Sequence, residues 1–95
     1  MIEVLVVLDI EEILCKQEFE EYILKEGFES VDNEPFAYIG KSDTPFFNTK
    51  AYIFEVFSKA FEAAKLDKCK MICQISSNAP EVYLYTKEKF FTELK

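Results

Sequence analysis

The chain predicts an α+β fold in which two helices cover one face of a small, mainly antiparallel sheet. Three observations carry that reading. Residues 2 to 8, IEVLVVL, form an almost unbroken apolar run rich in β-branched residues, as in a central strand with apolar demands on both faces. Residues 49 to 66 repeat apolar side chains at helical spacing. Shorter apolar stretches between and after these segments are bounded by turn residues. With 95 residues, 49% hydrophobic and 16% aromatic, the chain forms one domain, 1–95, and can build a core.

The elements follow in order. Residues 2 to 9 form the first strand, which ends on Asp9. A helix runs from there to near Gly27, a fair capping residue. Its best stripe is Cys15, Phe19, Tyr22 and Ile23, while Ile10, Ile13 and Leu14 fall on the opposite side. The register therefore breaks near Cys15, and residues 10 to 14 suit a separate turn. Asp32, Asn33, Glu34 and Pro35 read as a turn before a strand at Phe36 to Ile39, ended by Gly40. The segment KSDTPFFN, 41 to 48, reads as a loop.

In the second helix, 49 to 66, the stripe is Ile53, Phe57, Ala60, Phe61 and Ala64. Asn48 or Thr49 can cap its start. Residues 69 to 76 read as a strand with Cys69, Met71, Cys73 and Ile75 on one face. SSNAP is a turn, 82 to 86 a short strand, and 87 to 94 a short terminal helix. The simplest fold for this order is the ferredoxin-like plait, with its right-handed crossovers.

Charge is unevenly spread. Residues 1 to 34 hold eleven acids and two lysines, and residues 35 to 95 hold seven acids and nine lysines. The net charge of -7 is not the basic balance of a dedicated nucleic-acid binder. Lys65, Lys68 and Lys70, with Lys87 and Lys89 later, form either a local patch or a solvated surface. Three cysteines without framework spacing predict a reducing, cytoplasmic setting. No segment has the roughly 20 apolar residues that span a bilayer. The apolar run at the amino terminus lacks the flanks of a signal peptide.

The chain has no His, Arg or Trp. That removes Ser-His and Cys-His catalysis. Cys69 and Cys73, four apart on a strand, lie about 13 Å apart and cannot share a metal; they read as small core hydrophobes. Asp9 has two readings. At a strand terminus it is a candidate carboxylate for Mg²⁺, which prefers hard oxygen ligands. Followed by Glu12 three residues on, it is equally the start of a capping box. Glu11, Glu12, Glu18, Glu20 and Glu21 could ligate a metal or simply cover a solvated helix face near the positive end of its dipole. Phe46, Phe47, Tyr83 and Tyr85 could stack on bases or pack in a core or dimer. Tyr83 and Tyr85 share one strand face and Val82 and Leu84 the other, so one pair must leave the core.

The opening strand VVLDI, the helix ending LKEGF and the strand FAYIG resemble the small ferredoxin-like endoribonuclease superfamily. That group includes VapD-like proteins, the small nuclease-like subunit of the CRISPR adaptation complex and a ribonuclease antitoxin of similar build. The resemblance covers about residues 2 to 76 and rests on Asp9, Gly27-Phe28, Tyr38 and the second helix. It implies a homodimer in which Asp9 is the catalytic residue and the Mg²⁺ ligand, paired with its copy across a two-fold axis to cleave RNA. The alternative is a non-enzymatic interaction module whose acidic first third meets a basic protein or mimics nucleic acid. The acids after Asp9 and the lack of Arg to clamp phosphate suit this alternative.

Overall fold

A computed structural model describes residues 2–10, 13, 15–43 and 45–94, with the backbone alone at Phe46 and Phe47. The elements are β1 (Ile2–Asp9), α1 (Lys16–Lys25), β2 (Glu29–Val31), β3 (Glu34–Ser42), α2 (Phe46–Ala63), β4 (Lys68–Ile75), β5 (Glu81–Thr86) and β6 (Phe90–Leu94). The strands form one sheet in the order β2-β3-β1-β4-β5-β6, and every neighbouring pair is antiparallel. The fold is α+β, a six-stranded antiparallel sheet with two helices on one face. No helix is long and apolar enough to cross a membrane among the described residues.

β1 is central, as its apolar run requires, and alternation along it decides what faces the helices. Val4, Val6 and Leu8 point into the core at 0–4% exposure, and Glu3, Leu5, Val7 and Asp9 point the other way. α1 buries Phe19 and Ile23. α2 buries Ile53, Phe57, Ala60, Phe61 and Ala64, the stripe expected from its periodicity. The Phe19 ring stacks on Phe61 at 5.7 Å and tilts against Phe57 at 6.1 Å. Phe57 also meets Phe28 edge-on at 5.1 Å. These aromatic pairs add to the area the helices bury.

α1 ends where Gly27 adopts a left-handed φ of 101°. Phe28 N–H donates to the Ile23 carbonyl and Gly27 N–H to Leu24, which is the Schellman closure. Gly40 serves a different purpose. It lies within β3 rather than ending it, and a Cβ there would stand 2.9 Å from the Phe28 ring.

Other local expectations change as well. The terminal helix expected over 87 to 94 is strand β6. Phe91 turns inward against Phe54, at 4.8 Å between rings, while Phe90, Thr92 and Leu94 turn outward with a period of two. An eight-residue helix is marginal alone, whereas β6 satisfies the free edge of β5. Asp9 does not start α1, which begins seven residues later with Cys15 as its N-cap; Glu12, the other half of the expected capping box, lies outside the described residues. α2 begins at Phe46, after Pro45 in an extended conformation. Thr49 is therefore inside the helix and buried, 2.8 Å from the Ser42 hydroxyl. Strand β2 was not expected at all; it has three residues, two of them exposed.

Candidate functional site

The alternation that buries Leu8 sends Asp9 out onto the sheet face that no helix covers. Its side chain is 67% exposed, and Lys70, its cross-strand neighbour on β4, lies 3.9 Å away. Lys68 sits two residues along on the same face. An exposed pair at this distance contributes at most about 1 kcal/mol. Asp9 therefore neither caps a helix nor locks the fold.

The other acids do not converge on it. Glu18, Glu20 and Glu21 lie on α1, in the layer behind the sheet. Glu20 accepts a hydrogen bond from the Tyr38 hydroxyl at 3.3 Å, and Glu21 accepts one from Gln17 at 3.1 Å. Glu11 and Glu12 lie outside the described residues. No group of three potential ligands could hold a metal ion among the described residues. One chain thus offers Mg²⁺ a single described carboxylate at Asp9, beside a lysine. A single carboxylate beside a lysine is a poor set for the ion, which needs further oxygen ligands.

Both cysteines of β4 face the helices and are buried. Burial pushes the Cys69 thiol up to about 12 and the Cys73 thiol up to about 11. Neither has the lowered ionisation of a nucleophile. Tyr38 is fully buried, and burial, then the Glu20 carboxylate, raises its hydroxyl well above the ordinary phenol range. Lys50 reaches Glu81 at 2.9 Å, and the same carboxylate oxygen accepts from the Tyr83 hydroxyl at 3.0 Å. That cluster ties α2 to β5. Tyr83 and Tyr85 are core residues, so the aromatic pair of β5 faces inward and Val82 and Leu84 face outward. The side chains of Phe46 and Phe47 lie outside the described residues.

What the strand registers bring together on the open face is apolar. Ala37, Val7, Ile72, Val82 and Leu94 align in one row across β3, β1, β4, β5 and β6. Leu5 and Ile39 flank it, 38% and 43% exposed. Glu29 and Gln74 continue the row of Leu5 and Ile39, Glu3 and Lys41 lie one row further on, and the four help line a groove of about 530 Å³ at the end of the sheet opposite Asp9. The sequence carried a trace of this surface, since β1 is apolar at odd as well as even positions.

No protein-family model, curated protein or solved structure matches this chain. Geometry alone therefore bears on its function.

Proposed function

We propose that the protein is a homodimeric interaction module of ferredoxin-like build, and that the uncovered face of its sheet is the surface that works. The order β2-β3-β1-β4, with helices after β1 and β3, supports the plait; β5 and β6 are additions along one edge. The apolar surface made by Val7, Ile72, Val82 and Leu94, with Leu5 and Ile39 beside it and Ala37 buried at its end, is the observation that carries the function. A contiguous apolar patch of this kind marks an interaction site. Its occupant is a second copy of this chain. Six strands of three to nine residues at about 3.4 Å per residue and 4.8 Å spacing offer a face of about 600 Å², somewhat below the roughly 800 Å² that a standard interface buries per partner. Unpaired thiols at Cys15, Cys69 and Cys73 suit a reducing compartment, the cytoplasm being the expected one.

The test is a mass measurement in solution. Light scattering at micromolar concentration should give twice the 11.1 kDa of one chain, and Ile72→Glu should return a folded monomer. A monomeric wild type removes this reading.

One observation favours a second reading, descent from the Mg²⁺-dependent endoribonucleases. Asp9 stands exposed at the carboxyl end of β1 with Lys68 and Lys70 on the same face. Two such carboxylates brought together by dimerisation could hold the ion, which would activate water and offset phosphate charge. Wild-type protein should then cleave RNA with Mg²⁺ or Mn²⁺ near neutral pH, and Asp9→Asn should not. RNA left intact by the wild type under those conditions leaves the interaction module standing alone.

A further inference from the structure

The open face is not uniform along its strands. At the end where β1 finishes, the face carries Asp9, Lys68 and Lys70, a net charge of +1 among the described residues. At the end where β1 begins, it carries Glu3, Glu29 and Lys41, a net charge of -1. The apolar row lies between, with Val7 two residues from Asp9 and four from Glu3.

We infer that two copies stack their open faces head to tail, about a two-fold axis that runs along the apolar row and across the strands. This rests on the homodimer proposed above and adds its geometry. Two arrangements keep the apolar rows in contact. An axis along the strands sets each charged end against the same end of its partner, like against like. An axis across the strands sets the lysine-bearing end of one copy over the acidic end of the other, twice over by symmetry. Complementary potentials select the second, because like charges facing each other across an interface oppose association. Both arrangements keep the strands of the two sheets aligned, as in the aligned class of sheet packing, so charge alone chooses between them.

The arrangement has a chemical consequence. Asp9 lies one side-chain row beyond Val7, so the two Asp9 carboxylates end up about 13 Å apart along the strands, besides the roughly 10 Å between sheets. They cannot share a metal ion. The head-to-tail dimer and the shared-carboxylate nuclease therefore exclude one another.

Charge reversal tests the geometry. Glu3→Lys and Lys70→Glu change exposed positions, and circular dichroism checks that each variant folds. In the head-to-tail dimer, each single reversal sets like charges together and should weaken dimerisation about tenfold by sedimentation equilibrium. The double variant Glu3→Lys/Lys70→Glu swaps both ends of the same chain and should recover the wild-type constant to within about threefold. A dimeric wild type whose single variants bind as tightly as it does overturns the head-to-tail geometry and leaves the homodimer intact. A double variant no tighter than the singles overturns it in the same way. A monomeric wild type overturns both.

Discussion

The two faces of the sheet are made by the same strands and meet opposite fates. On one, Val6, Tyr38, Met71 and Tyr85 are sealed beneath α1 and α2 at 0–1% exposure. On the other, Leu5, Val7, Ile39 and Ile72 stand next to them in sequence without cover from the described helices. The chain's own helices account for the first set. The second set is only partly buried by its own chain: Val7 and Ile72 are half-buried, and Leu5 and Ile39 are 38% and 43% exposed. A residue that buries less area within its own chain contributes less to that chain's stability. Apolar content on the open face is thus evidence about association, whereas apolar content on the covered face is evidence about folding.

Substitutions should separate the two faces sharply. The largest effect is expected at Phe57, fully buried and ringed by Phe19, Phe28, Tyr38 and Phe61. Phe57→Ala should cost about 3–5 kcal/mol in urea unfolding. A loss near zero would mean that this ring does not anchor the covered face. Gly40→Ala should cost about 1–3 kcal/mol, since the added methyl meets the Phe28 ring at 2.9 Å; Phe28→Leu in the same chain should recover part of that loss.

High pH should weaken the covered face next. The Cys73 thiol is raised from 9.0 to about 11 by burial, then by Glu81. Below pH 9 the thiol is protonated in both folded and unfolded chains and has no pH-dependent effect. From pH 9 towards 11 the unfolded chain releases its proton first, so stability falls as pH rises. Denaturant midpoints at pH 8 and pH 10 measure the fall, and Cys73→Ala should make it shallower. On the open face, Leu5→Gln should change the unfolding free energy of the dilute monomer by less than about 1 kcal/mol yet abolish dimerisation at micromolar concentration. A large loss of monomer stability would erase the distinction between the faces.

Much of the covered face was legible in the residues. β1 follows its apolar run from Ile2 to Asp9, and α2 buries the face that its spacing of three and four picks out. Both signals are long and repetitive. Strand β2 was not legible, because Glu29-Ser30-Val31 has no apolar pattern and pairs only through its backbone with β3. The terminal segment misled because Phe90, Phe91 and Leu94 fit one turn of helix as well as they fit alternation; the free edge of β5 decides between them. The spacing of Asp9 and Glu12 suggested a cap, but a capping box is local and says nothing of where the next helix starts. The open face was half visible. A run apolar on both sides announces that both sides are wanted, without saying which one the chain itself covers.

The place of β1 in the sheet also bears on the order of events during synthesis. Of the strands in this sheet the central one is made first, and its two neighbours follow later: β3 is complete at Ser42 and β4 at Ile75. Until then the growing chain carries its most apolar segment without its permanent partners. Pairings this distant in sequence close slowly, and exposed apolar strands aggregate while they wait. The sheet therefore closes only after β4 has been made, which ties its formation in the cell to protection of β1 until then.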